Sequence, residues 1–151
     1  MTRWWTPVPD PTKEPAEWAD LITLAATVCG EAEGESLLGK RAVAYVVMNR
    51  AADPRWPDNP GEVCLQSRQF SCWNIGSPRV PKMMSPKRTG ISQKSWDDCF
   101  RAATEAMYKL EPDPTNGANH YLAPGSLKVL PIWAKADKIV AKIDAHYFYL
   151  L

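Results

Sequence analysis

The sequence predicts a mainly α domain of the α+β class, with a small β-hairpin near its C-terminus. Three observations predict it. Apolar residues recur at helical spacing in two long segments, Trp18, Leu21, Ile22, Ala25, Val28, Cys29 and Trp96, Cys99, Phe100, Ala103, Met107, Leu110. Residues 42–48, Ala-Val-Ala-Tyr-Val-Val-Met, are apolar on nearly all sides, as a buried central helix is. The tail from Lys138 to Leu151 carries β-branched and aromatic residues on both sides of Asp144-Ala145, a hairpin pattern.

Taken in order, residues 1–15 form an arm, because Pro7, Pro9, Pro11 and Pro15 prevent regular structure. Residues 16–151 form a single domain, a length that supports one hydrophobic core. The first helix spans about 15–29. Ser36 is a good N-cap for a second helix that runs to Asn49 or Arg50. Pro54, Pro57 and Pro60 make 53–61 a loop, followed by a short helical turn at 61–66. Residues 67–91 are irregular, and a loop of that length in a small domain usually serves function. Ser92 caps the third long helix, which Pro112 ends. Asp113-Pro114-Thr115-Asn116-Gly117 is a turn, and Pro131 opens a short helix at 131–137.

Composition excludes several classes. No apolar run approaches the ~20 residues that span a bilayer, so membrane insertion is not expected. The N-terminus lacks the apolar core of a signal peptide, which predicts synthesis in the cytoplasm. Cys29, Cys64, Cys72 and Cys99 form no CxxC pair, so no metal site and no cofactor are expected; Cys29 and Cys99 read as small core residues. The net charge of +1 is unevenly spread. Residues 63–96 hold no acid but carry Arg68, Arg79, Lys82, Lys87, Arg88 and Lys94, a loop suited to an anionic polymer or simply to solvation. No nucleic-acid motif accompanies it.

Gly30-Glu31-Ala32-Glu33-Gly34-Glu35 carries the most chemical information. The first helix delivers Glu31 to its C-terminal end beside a glycine-flexible bend. There the helix dipole and apolar neighbours both favour the protonated form. A carboxylic acid that keeps its proton near neutral pH is what glycosidic cleavage needs, because the leaving sugar oxygen must be protonated. Downstream, Gln69-Phe70-Ser71-Cys72-Trp73-Asn74, Gly117-Ala118-Asn119-His120-Tyr121, Pro131-Ile132-Trp133-Ala134 and His146-Tyr147-Phe148-Tyr149 mix aromatic faces with amides and hydroxyls. Sugar sites use both.

In this order the motifs resemble the SleB-type cell wall hydrolase family, which includes spore cortex-lytic enzymes and phage endolysins. The resemblance covers about residues 18–150. It rests on Gly30-Glu31-Ala32 with Gly34-Glu35, residues 42–50, Gln69-Phe70-Ser71, residues 113–118 with His120-Tyr121, Pro131 with Trp133-Ala134, and His146 with Phe148-Tyr149. It implies a lysozyme-like helical domain that cuts peptidoglycan glycan strands, with Glu31 as the acid. Two positions depart from the family pattern. Glu33 stands where Arg is common, and Asp144-Ala145 stands where glycine is usual.

A second catalytic carboxylate is not evident, because Glu33 and Glu35 are too near Glu31 in sequence. One acid points to lytic transglycosylation between N-acetylmuramic acid and N-acetylglucosamine. Ser71, Asn74 and Tyr121 are the candidates for electrostatic help, and Gln69 for holding an acetamido group, with Phe70 and Trp133 as further sugar contacts. His120 and His146 read as structural groups able to tune the acid. Lysozyme-type hydrolysis is the alternative, with Asp97, Asp98 or Glu35 across the cleft. A non-catalytic wall-binding module and a zinc amidase are further alternatives. The expected partner is peptidoglycan, reached by a monomer after holin-type release to the wall.

Overall fold

The structure is a computed structural model that describes residues 12–66, 69–74, 77 and 90–151. Most of the expected arm and most of the basic 75–91 loop, including Lys82, Lys87 and Arg88, lie outside the described residues. Four α-helices are present among them: α1 (Pro15–Ala32), α2 (Leu37–Ala51), α3 (Pro60–Leu65) and α4 (Gln93–Met107). Three short strands follow, β1 (His120–Leu122), β2 (Ile139–Ile143) and β3 (His146–Tyr149). They form one antiparallel sheet in the order β1-β3-β2.

Local chemistry explains the helix starts. Pro15 stands in the first turn of α1, where its missing N–H costs nothing. Ser36 accepts from Gly39 N at 3.1 Å at the start of α2, and Ser92 accepts from Ser95 N at 3.1 Å at the start of α4. Helix α4 ends at Met107, before the expected Leu110. Lys109 takes a left-handed φ of 53°. Leu110 N then bonds Glu105 O at 2.9 Å and Lys109 N bonds Ala106 O at 3.3 Å, a Schellman closure that leaves Leu110 exposed.

The 42–48 stretch of helix α2 is apolar on nearly all sides because the helix is covered on two sides. Ala44, Tyr45 and Val47 join Leu21, Leu24 and Val28 of α1 and Trp96, Cys99 and Ala103 of α4 in the main core. Ala42 and Val46 pack instead with Ala118 and Phe148 beneath the sheet. Cys29 and Cys99 are buried in the main core as expected, and all four cysteines are buried thiols outside any disulfide. Burial pushes the Cys64 thiol up to about 12, which keeps it un-ionised and unreactive.

Three further expectations need correction. Helix α1 runs through Gly30 and Glu31 to Ala32, so the bend begins at Glu33 rather than at Gly30. The hairpin is part of a three-stranded sheet, because His120–Leu122 pairs with β3. The segment 131–137 is not a helix; Pro131 opens a turn closed by Ala134 N on Pro131 O at 3.0 Å, and a single 3-10 turn follows at Ala136–Lys138.

The hairpin turn explains its unusual sequence. Asp144 takes a left-handed φ of 51°, a conformation that Asp tolerates better than most residues. Its Oδ2 accepts from Ser36 N at 3.0 Å and Ser36 Oγ at 2.6 Å. The carboxylate thus sits on the positive N-terminus of α2, a link glycine could not make.

Candidate active site

Glu31 lies in the last turn of α1, half-buried, at one side of a cleft of about 630 Å³. Two segments bring three donors to its carboxylate. Tyr121 OH donates to Oε1 at 2.6 Å. Cys72 N donates to Oε2 at 3.2 Å, and Ser71 Oγ does so at 3.4 Å. Each segment is fixed by its own anchor.

The turn at Ser71–Trp73 is tied back to α1 by Trp73 Nε1, which donates to Thr27 Oγ1 at 2.9 Å. Thr27 is one helical turn before Glu31, so this bond sets Ser71 and Cys72 N beside the acid. Strand β1 is aimed by the end of α2. Asn49 Nδ2 donates to Asp113 Oδ2 and to Ala118 O, both at 2.9 Å, and Arg50 Nε donates to Asn119 O at 2.7 Å. Asp113 closes the turn with Thr115 N at 2.8 Å and Gly117 N at 3.0 Å. Tyr121, two residues beyond Asn119, then reaches Glu31.

Burial, followed by the charge of Glu31 and the bond to it, pushes the Tyr121 phenol well above its usual range. It stays protonated and is a permanent donor to the acid. Burial, with Arg50 and Arg55 adding to it, lowers His120 to about 4. Its Nδ1 faces Asn119 Oδ1 at 2.9 Å, and its ring lies 4.8 Å from Trp133. His146 is held below the ordinary imidazole range by burial, which outweighs the carboxylates of Glu35, Glu31 and Asp144.

Of the residues named from sequence, Glu31, Gln69, Phe70, Ser71, Tyr121 and Trp133 all line the cleft. Phe70 is buried and shapes the floor, with the Arg50 guanidinium 5.4 Å from its ring centre. Gln69 Oε1 accepts from Arg50 Nη1 at 3.3 Å. Asn74 is not among the lining residues; it ends the Ser71–Trp73 turn in extended backbone, with its N–H on Ser71 O at 3.1 Å. Asp97 and Asp98 do not line the cleft, and Asp98 pairs with Lys94 at 2.9 Å along α4. Glu31 is the only carboxylate among the described lining residues.

Sequence reasoning did not assign Arg50, Leu122, Ala123, Ser126 or Leu127 to the cleft, though all line it. Arg50 follows the apolar stretch 42–48 by two residues, a placement visible in the sequence, but its burial is decided by the packed structure. Nothing in 122–127 marks that segment as a cleft wall.

The profile of the cell wall hydrolase family matches residues 34–149. This chain belongs to the cell wall hydrolase family. Glu31 stands just upstream of that matched span. Among the hydrolase relatives, the spore cortex-lytic enzyme of Halalkalibacterium halodurans is 30% identical over 139 residues, which is 91% of this chain and 37% of that protein. A spore cortex-lytic enzyme of Bacillus cereus is 26% identical over 85% of this chain and 43% of its own length. The chain thus spans well under half the length of these relatives. The catalytic domain of the germination-specific lytic transglycosylase SleB from Bacillus anthracis superposes with a TM-score of 0.65 at 25% identity, covering 94% of this chain and 99% of that one. The catalytic domain of the Bacillus cereus SleB protein gives 0.66 at 26% identity, covering 92% and 94%. The hydrolase fold expected from the motifs is therefore the fold observed.

Proposed function

We propose that this chain cleaves the glycan strand of peptidoglycan between N-acetylmuramic acid and N-acetylglucosamine as a lytic transglycosylase, with Glu31 as acid and then base. One observation carries the reading: Glu31 is the only carboxylate among the described residues lining the cleft, and donors meet both of its oxygens. The Bacillus anthracis relative is itself a lytic transglycosylase, which supports the same chemistry here.

The steps balance without water. Protonated Glu31 gives its proton to the glycosidic oxygen, and the bond from muramic C1 to that oxygen breaks. The resulting oxocarbenium-like centre is attacked by the muramic C6 oxygen. Glu31, now a carboxylate, takes the C6 hydroxyl proton, and a 1,6-anhydro ring closes. Tyr121 engages Oε1 throughout, so Oε2, with its longer contacts to Ser71 and Cys72 N, is the oxygen that handles the proton. Preorganised donors of this kind stabilise the carboxylate when it forms.

The test is mass spectrometry of muropeptides released from sacculi in ¹⁸O-labelled water. Anhydromuramic ends without label are expected. Labelled reducing ends identify a lysozyme-type hydrolase, cut peptides an amidase, and binding without products a wall-binding module.

A further inference from the structure

His146 opens β3 with 6% of its surface exposed, and its Nδ1 is sealed from solvent without a hydrogen bond. Glu35 Oε1 stands 3.4 Å from that nitrogen. A buried imidazole nitrogen without a partner is costly, and closing this gap by a few tenths of an ångström makes a hydrogen bond. The approach is enforced from both sides. Lys40, itself buried, donates from Nζ to Glu33 O at 2.9 Å and Glu35 O at 2.5 Å, which locks the bend carrying Glu35. The Ser36–Asp144 clamp pins the hairpin turn to the same bend, next to Glu35 on one side and His146 on the other.

The groups that face His146 are Glu35 from the bend, Glu31 from α1, Asp144 from the turn, and the Tyr121 ring of β1 at 5.1 Å and 85°. Nδ1 is the ring nitrogen that is sealed, and His146 is among the residues that line the cleft with Glu31. A neutral imidazole bonded through Nδ1–H presents Nε2 as a bare lone pair. Two other polar side chains of the cleft already have their acceptor atoms engaged. Gln69 Oε1 is taken by Arg50, and Glu31 is already met by three donors.

We propose that Glu35 fixes His146 as the Nδ1–H tautomer, leaving Nε2 to accept a hydrogen bond from a hydroxyl or acetamido N–H of the sugar bound beside Glu31. His146 is then a substrate-binding residue and Glu35 a positioning residue that acts through it. The inference rests on the reading of the cleft as a glycan site. It holds equally for a transglycosylase and a hydrolase.

Three measurements test it. The ¹⁵N resonances of His146 in the intact chain should show Nδ1 protonated and Nε2 bare at neutral pH; the opposite tautomer overturns the proposal whatever the activity proves to be. Binding of a GlcNAc–MurNAc tetrasaccharide should be compared in a Glu31→Gln background, where cleavage is removed. Adding His146→Phe should weaken binding about three- to tenfold, the range one hydrogen bond covers. Adding His146→Gln, which returns an acceptor near the Nε2 position, should restore most of it. Finally, Glu35→Gln removes the charge that favours imidazolium, so the acid limb of the pH–rate profile should move to lower pH while KM rises. Equal binding by the Phe and Gln variants, or an acid limb that does not move in folded Glu35→Gln, overturns the dyad. If His146→Phe does not fold, the Glu35→Gln profile and the ¹⁵N resonances still decide. No tetrasaccharide binding by Glu31→Gln itself overturns the glycan-site reading and the dyad's role with it, whereas binding that His146→Phe leaves intact overturns the dyad alone.

Discussion

The Tyr121 hydroxyl donates to Glu31 Oε1 at 2.6 Å, across 90 residues of chain. This is the shortest of the three hydrogen bonds to the acid, and the phenol's raised pKa keeps it a donor at any working pH. Tyr121→Phe should therefore lower the turnover rate about ten- to hundredfold, the range for losing a hydrogen bond to a charged group. KM should change little, because the hydroxyl is turned to the acid. Turnover equal to the parent chain, in a variant with the same circular dichroism, would show that Tyr121 only packs.

Glu31→Gln keeps the shape of the side chain and removes its proton. Sacculus lysis should fall by on the order of 10²–10⁴ or more, as for loss of a general acid. Glu33→Gln should keep most activity, since Glu33 caps α1 and does not line the cleft. Turbidity assays on purified sacculi separate the two outcomes.

Asp144 carries both a left-handed φ and the clamp on Ser36. Asp144→Ala loses the two bonds and places a Cβ residue without compensation in that conformation. The cost should be about 1–2 kcal/mol, seen as a fall in Tm of about 3–6 °C. Asp144→Gly relieves the backbone but still loses the bonds, so its Tm should lie between those of the Ala variant and the parent. A Gly variant as stable as the parent would show that the clamp contributes nothing.

His120 titrates near 4 in the folded chain, against an ordinary 6.5. Between those values the unfolded chain binds the proton and the folded chain does not. Stability therefore rises with pH in that window, and the contribution present above pH 6.5 is lost as the pH falls towards 4. His120→Gln removes this proton uptake. Urea midpoints from pH 7 to pH 4 should fall less steeply for the variant than for the parent, and parallel slopes would contradict the assignment.

Local sequence determined the helices and their caps. Pro15, Ser36 and Ser92 act within one turn of their own chain, and the stripes of α1 and α4 report which face each helix buries. The all-apolar run of α2 likewise announced burial on two sides. Glu31 was legible because its helix, its carboxyl chemistry and the neighbouring glycines are all local. The tertiary structure decided what local periodicity cannot carry. His120–Leu122 is too short to show an alternation, and it is a strand because Tyr147–Tyr149, far along the chain, offers it an edge. The expected helix at 131–137 gave way to turns over a segment whose Ile132 remains exposed, with no buried stripe to hold a helix. The donors on Glu31 come from residues 71–72 and 121, and the pairing of Glu35 with His146 spans the domain. Such contacts depend on which surfaces are buried against each other, a property of the packed chain as a whole. A carboxylate can be recognised from its neighbours in sequence, but the company it keeps in space is fixed only when α1, the 71–73 turn and the sheet close on one cleft.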